Sequence, residues 1–101
     1  MTHDKEKFFD SAMLNIYRRA YEEAHYKATY FLQMLNELRG LETARRLIHS
    51  PKVSEGYIAL WERGRLDLTV EALIHDNPEW HSLFTEEELE IARKRLADYG
   101  Y

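Results

Sequence analysis

Residues 4–25 read DKEKFFDSAMLNIYRRAYEEAH, and this stretch decides the fold class. Its apolar residues recur three or four positions apart and fall, at 100° per residue, within a stripe about 120° wide. The stripe consists of Phe9, Ala12, Met13, Ile16, Ala20 and Ala24. The charged Arg18 and Glu22 lie on the opposite side, so the pattern predicts an amphipathic helix over these residues.

The same periodicity continues along residues 28–39 and 41–49, which we interpret as a second and a third helix joined at Gly40. Glycine is the usual residue just after a helix end. No glycine or proline marks the junction with the first helix. A helix that ran on through residue 38 would nevertheless be far longer than average, so we expect a break near residues 25–27.

Capping residues mark the next two helices. Ser54 precedes an apolar segment that Gly64 closes, which predicts a fourth helix. Asp67 or Thr69 can cap a fifth helix, and the dipeptide at residues 77–78 (Asn-Pro) ends it.

The last helix has the clearest start. Thr85 and Glu88 have the spacing of a capping box, and Phe84 and Leu89 occupy the positions of a hydrophobic staple. A helix is predicted over residues 86–99, and no alternating pattern indicates strands. The chain is therefore predicted to be all-α, as one compact domain over residues 1–101 built from five to six mostly short helices.

Composition narrows the class of protein further. The chain has 101 residues, 45% of them hydrophobic and 32% charged, and it contains no cysteine. This length is typical of a single domain with its own core. No apolar run approaches the roughly 20 residues that a membrane-spanning helix needs. We expect a cytoplasmic protein without disulfides or membrane segments.

Charge is divided unevenly along the chain, whose net charge is −4. Residues 71–90 hold seven acidic residues and neither lysine nor arginine. Residues 39–65 have a net charge of +3, and we call this segment the basic strip. Its basic residues are Arg39, Arg45, Arg46, Lys52, Arg63 and Arg65. The two segments predict oppositely charged surfaces.

No motif indicates catalysis, a metal or a cofactor. The serines lie in no Gly-x-Ser-x-Gly turn, and no glycine-rich loop is present. The five histidines, His3, His25, His49, His75 and His81, show no three- or four-residue spacing. The nearest candidate set for a divalent ion is His75, Asp76, Glu79 and His81, for which solvated loop residues are the simpler interpretation. We therefore expect a protein that is not an enzyme.

Arg65, Asp67 and Glu71 lie among the apolar residues at 66–70. If the fifth helix starts at Asp67, the two acids share one helical face, and Arg65 or Arg63 can bridge them. We interpret this group as a structural ion-pair network at the corner between the fourth and fifth helices.

The segment from residue 26 to 101 carries a string of specific motifs. They are YFLQM at 30–34, GLETARRL at 40–47, LWERGRLDLTVEAL at 60–73, LFTEEEL at 83–89 and ARKRL at 92–96. This string resembles a family of small uncharacterised bacterial cytoplasmic proteins of about this length. The resemblance implies a stand-alone or accessory bacterial domain, and it carries no catalytic residue over to this chain.

The favoured functional hypothesis is protein interaction without catalysis, as a homo-oligomer or as the small subunit of a larger bacterial assembly. Tyrosine, tryptophan and arginine dominate interface hot spots. The predicted binding residues are Arg45, Arg46, Arg63, Arg65 and Trp80. A partly exposed aromatic surface is expected from Tyr17, Tyr21, Tyr30, Trp80 and Tyr101.

The alternative hypothesis is a nucleic-acid-binding accessory protein. Residues 28–49 have the outline of a helix-turn-helix pair, and Arg45 and Arg46 lie on its second helix. Because phosphate contacts supply much of the affinity for nucleic acids, the acidic overall balance disfavours this hypothesis.

Overall fold

The computed structural model describes residues 2–101, with side chains from Asp4 onward, so the side chain of His3 lies outside the described part. The helices are α1 (Thr2–Ala24), α2 (Thr29–His49), α3 (Glu55–Glu62), α4 (Val70–Asp76) and α5 (Glu86–Asp98). Two 3₁₀ helices, Leu66–Leu68 and Pro78–Leu83, precede α4 and α5. No strand occurs over residues 2–101, and the Cα radius of gyration is 12.5 Å. The predicted all-α fold is confirmed.

None of the helices in residues 2–101 is both long enough and apolar enough to cross a bilayer. The predicted break after the first helix is confirmed, because α1 ends where His25 adopts a φ of 55°. The amide of Tyr26 then donates to the carbonyl of Ala20 at 3.0 Å, which turns the chain back toward α1.

The predicted glycine end-cap between residues 28–39 and 41–49 is wrong in its mechanism. The two predicted segments are helical and meet at a kink within α2, but the residue with positive φ is Arg39, whose φ is 68° and whose ψ is −178°. Gly40 instead lies close to α1, where its amide donates to Asp10 Oδ1 at 2.7 Å. The carboxylate satisfies a backbone donor that the kink leaves without a helical partner.

Two of the predicted caps are confirmed. Ser54 begins α3, and its hydroxyl accepts from the amide of Tyr57 at 3.1 Å. At α5 both hydrogen bonds of the capping box form, from the Glu88 amide to the Thr85 hydroxyl and from the Thr85 amide to the Glu88 carboxylate. These signals depend only on neighbouring residues, so they could be identified in the sequence.

The start of α4 resolves a choice that the sequence left open. Thr69, and not Asp67, is the N-cap, with its hydroxyl accepting from the amide of Ala72 at 3.2 Å. Asp67 lies in the preceding 3₁₀ helix. The 3₁₀ helix Pro78–Leu83 was not predicted, since the proline indicated only a stop.

The core forms around the apolar stripe of α1. Phe9 and Met13 are fully buried, and the Phe9 ring meets the edges of Trp80 and Phe84 at centroid distances of 5.3 and 5.6 Å. The prediction of Trp80 as a surface binding residue is therefore wrong, because only 8% of it is exposed. The turn of Pro78–Leu83 directs the indole inward against α1, where an aromatic ring gains both burial and edge-to-face contact.

Substituting Gly40 tests the approach of α1 to the kink. A Cβ at Gly40 would lie 2.7 Å from Asp10 Oδ1 and 3.1 Å from Asp10 Cα. We expect Gly40→Ala to lower the free energy of unfolding by about 1–3 kcal/mol, because part of the clash is with backbone. Chemical denaturation monitored by circular dichroism measures the change.

Gly56→Ala is the matched control, since its Cβ would meet Tyr26 at an ordinary contact distance of 3.5 Å. Gly56 lies inside α3, where alanine is neutral or stabilises by up to about 1 kcal/mol. Equal destabilisation by both substitutions would contradict the close approach at Gly40.

Candidate functional site

An apolar groove of about 530 Å³ lies between α1, the N-terminal half of α2, α3 and α4. Its apolar walls are formed by Ile16, Ala20, Phe31, Met34, Leu47, Leu60, Leu68 and Val70. Four tyrosines also line it. Tyr57 is buried, and we call the other three, Tyr17, Tyr26 and Tyr30, the tyrosine rim. A concave apolar site of this size is typical of binding sites.

The three side chains of the tyrosine rim differ in solvent exposure. Tyr30, at the start of α2, is 78% exposed, whereas Tyr17 and Tyr26 are half-buried. On α1, Leu14 and Tyr21 lie one turn before and one turn after Tyr17 along the same face, and both are exposed. The groove and this part of α1 therefore form one continuous apolar and aromatic surface.

Two side chains of opposite charge line the groove. Lys27 and Glu55 both line it, and both are exposed. Within the described part of the chain, neither side chain makes a hydrogen bond or an ion pair. The groove thus presents one free cation and one free anion beside its apolar walls.

A buried ion pair borders the groove, since Glu71 is one of the residues that line it. Glu71, on α4, is 4% exposed and accepts from Arg95 Nη1 of α5 at 3.1 Å. Burial raises the pKa of Glu71, and the neighbouring guanidinium acts in the opposite direction. Arg95 also donates to the backbone carbonyls of Leu47 and Ser50, so the same side chain joins α5 to the end of α2.

Tyr57 contributes a second desolvated polar group near this pair. Its hydroxyl is buried and has no hydrogen-bond partner in the described part of the molecule. Burial raises the pKa of the Tyr57 hydroxyl, and the charge of Glu71 adds to the increase. The phenol is therefore neutral, and its ring packs edge-on against Tyr99 at a centroid distance of 5.1 Å.

The predicted bridge from Arg65 to both Asp67 and Glu71 is wrong. Arg65 donates to Asp67 at 3.0 Å and to Glu23 of α1 at 2.7 Å, whereas Glu71 pairs with Arg95. The reason is that α4 begins at Val70, so Asp67 and Glu71 do not lie one helical turn apart. Arg65 joins the corner before α4 to the C-terminal end of α1.

The four predicted binding arginines fall into two places. Arg45 and Arg46 lie on the C-terminal half of α2, where Arg45 donates to the carbonyl of Leu83 at 3.0 Å. Arg63 lies near the end of α1, where it donates to the carbonyl of Ala24 at 3.1 Å. Arg65 lies beside the same end, paired with Glu23 and Asp67. Arg46 is exposed, and its side chain makes no hydrogen bond or ion pair with the described residues.

The predicted aromatic surface is present only in part. Tyr21 and Tyr30 are exposed and adjoin the groove, whereas Tyr101 lies elsewhere and donates its hydroxyl to Asp76. The groove itself was not predicted. Phe31 and Met34 belong to the apolar stripe of the second predicted helix, and periodicity alone does not distinguish a covered stripe from a half-covered one.

The described side chains of His, Asp and Glu form no group of three that could hold a metal ion. The candidate set around Pro78 is drawn into other contacts. His81 Nε2 lies 3.0 Å from the carbonyl of Ile74, and Asp76 accepts from Tyr101.

Glu88 is the centre of a charge cluster that fixes α2 against α5. Its Oε2 lies 2.7 Å from His49 Nε2 and 3.6 Å from Arg45 Nε. Burial acts to raise the pKa of Glu88, but the hydrogen bonds from the Thr85 amide and His49, together with the charge of Arg45, outweigh it. They hold the pKa below its usual value.

This cluster predicts acid sensitivity. A carboxylate with a depressed folded pKa stabilises the fold above its unfolded pKa of about 4.3, and this stability is lost as pH falls through the lower folded pKa. We expect Glu88→Gln to lower the free energy of unfolding at neutral pH by about 1–3 kcal/mol. In this variant the free energy of unfolding should also fall less steeply as the pH is lowered, so the acid limb of its pH profile is flatter. Urea denaturation as a function of pH measures both effects.

Glu87→Gln is the matched control, since Glu87 is exposed on the same turn of α5. It should leave both the neutral stability and the acid limb unchanged. An acid limb as steep in Glu88→Gln as in the wild type would contradict the role of Glu88.

Comparison with known proteins assigns no family. No family model, no curated protein and no solved structure matches this chain. The resemblance to a family of small bacterial proteins therefore stays a prediction. The function is to be argued from the groove, its tyrosine rim and the charges beside it.

Proposed function

We propose that this protein is a non-catalytic interaction domain that self-associates through its groove and tyrosine rim. The observation that carries the proposal is the position of Tyr30. Its side chain is 78% exposed and stands at the edge of an apolar groove of about 530 Å³. A large exposed aromatic side chain beside an apolar concavity is typical of an interface.

A second copy of this chain fits the arrangement. Symmetric dimers use the same patch on both subunits, so the patch must contain both a projecting and a receiving element. Here Tyr30 is the projecting element. The groove walls, which Phe31 and Met34 form with α1 and α3, can receive the Tyr30 side chain of a second copy. In a twofold pair, Tyr30 of each copy would lie in the groove of the other.

The charges beside the groove fit the same symmetry. Lys27 and Glu55 are free within the described part of the chain and carry opposite signs. A twofold axis through the groove can bring Lys27 of each copy to Glu55 of the other. Such rim pairs contribute more to orientation and association rate than to affinity.

In the other form of the favoured hypothesis, the chain is the small subunit of a larger bacterial assembly, and the same groove would bind an apolar segment of a different protein. The nucleic-acid hypothesis is supported less well by the geometry. Three of the four predicted binding arginines, Arg45, Arg63 and Arg65, already donate to acceptors within the chain. The phosphates of a nucleic acid would have to compete with those bonds for the three side chains. Of the four arginines, only Arg46 makes no hydrogen bond or ion pair with the described residues.

Truncating Tyr30 tests the proposal. We expect the wild type to form dimers with rising concentration, and Tyr30→Ala to weaken association about 30-fold, because hot-spot tyrosines contribute about 2 kcal/mol or more. Sedimentation velocity and light scattering from micromolar to millimolar protein measure the dissociation constant against a monomer mass of 12.1 kDa.

Phe8→Ala is the matched control, because Phe8 is also a large exposed aromatic residue on the surface but does not line the groove. It should leave association unchanged. A wild type that stays monomeric throughout, or a Phe8→Ala variant as weak as Tyr30→Ala, would overturn self-association through the groove.

These two variants, together with Arg46→Glu, separate the other two hypotheses. A nuclease-treated pull-down in which wild type and Phe8→Ala capture a protein that Tyr30→Ala loses would favour the small-subunit function over self-association. A low-salt gel shift that Arg46→Glu abolishes would favour nucleic-acid binding in its place.

A further inference from the structure

Two residues with strained backbone conformations lie at the two ends of one wall of the groove. Among the described non-glycine residues, only His25 and Arg39 have positive φ, at 55° and 68°. With a ψ of −178°, Arg39 occupies a region that is essentially restricted to glycine. Between these two positions lie residues 26–38, which contain the loop after α1 and the N-terminal half of α2.

The segment between the two positions is less buried than the second half of α2, and it contacts the main core through Phe31 and Leu35. None of residues 26–38 is buried, and all five of its large aliphatic or phenylalanine side chains are half-buried. These are Phe31, Leu32, Met34, Leu35 and Leu38. The other half of α2 contributes four buried residues, Gly40, Thr43, Ala44 and Ile48. Segments with few buried contacts open at lower free energy than the rest of a domain.

Asp10 holds the second strained position in place. Its Oδ2 accepts from the Arg39 guanidinium at 3.0 Å, and its Oδ1 accepts from the Gly40 amide at 2.7 Å. Both bonds lie at the boundary between the less buried and the more buried halves of α2. The carboxylate therefore keeps Arg39 in a conformation that the residue would otherwise leave.

We infer that residues 26–38 form a lid, which swings on His25 and Arg39 and is latched in its closed position by Asp10. The lid carries Tyr26, Tyr30, Phe31 and Met34, so its position sets the width of the groove. Release of the latch relieves the strain at Arg39, which couples opening to the loss of the hydrogen bonds from Arg39 and Gly40 to Asp10. This inference rests on the proposed function only for its consequence, which is that the lid regulates access to the binding surface.

Hydrogen exchange in the Tyr30→Ala background tests the lid, since that variant is designed not to associate. We expect the amides of residues 30–38 to exchange at least about tenfold faster than those of residues 42–48. Adding Asp10→Ala should accelerate exchange over residues 30–38 by roughly another tenfold and leave α5 unchanged. Glu22→Ala, an exposed acid on the same helix, is the matched control and should change neither segment.

Arg39→Gly is a second test variant, which can be used even if Asp10→Ala prevents folding. Glycine adopts this φ and ψ freely, and the lost ion pair is largely exposed, since 72% of the Arg39 side chain is accessible. We expect slower exchange over residues 30–38. The lid would be overturned if the amides in both halves of α2 exchanged at equal rates, and if these rates changed together in every variant.

The two proposals fail separately. A lid that opens as described in a protein that is monomeric at every concentration contradicts self-association and leaves the lid intact. A dimer that Tyr30→Ala disrupts, in a chain whose α2 exchanges as one unit, contradicts the lid and leaves the proposed function intact.

Discussion

The carboxylate of Asp10 fixes the bend of α2, and the placement of both halves of that helix follows from it. One oxygen accepts from the amide of Gly40, and the other accepts from the side chain of Arg39. The absence of a side chain at Gly40 lets α1 approach to a distance that a Cβ would prevent. Beyond the bend, Ala44 and Ile48 enter the core beside Phe9, whereas residues 26–38 lie over the groove.

Polar contacts reinforce only one half of α2. Arg95 ties the carbonyl of Leu47 to α5, and Glu88 holds Arg45 and His49 against the same helix. The buried pair of Arg95 with Glu71 extends this fixed body to α4, and such pairs specify geometry more reliably than they add stability. No described side chain of residues 29–38 makes a comparable polar contact, and the proposed lid lies in this half.

The sequence predicted the helices well, because their signals are local. The stripe around Met13 and the capping box of Thr85 involve residues within a few positions of one another, and both are confirmed. The errors concern contacts between distant residues. The inward turn of Trp80 depends on Phe9, and the pairing of Arg65 depends on Glu23 of α1. Neither partner can be identified from periodicity or spacing.

The groove is the part of the site that local patterns predict least, since half-covered and fully covered stripes have the same periodicity. Phe31 and Met34 satisfy the helical pattern, yet the fold leaves them partly in water, at a cost of about 25 cal/mol for each Å² of apolar surface. A second copy that covers Tyr30 also covers this segment, so association and lid position share one surface. Coupling of this kind is reciprocal. Whatever holds residues 26–38 in the associating position strengthens the contact, and the contact in turn holds the lid.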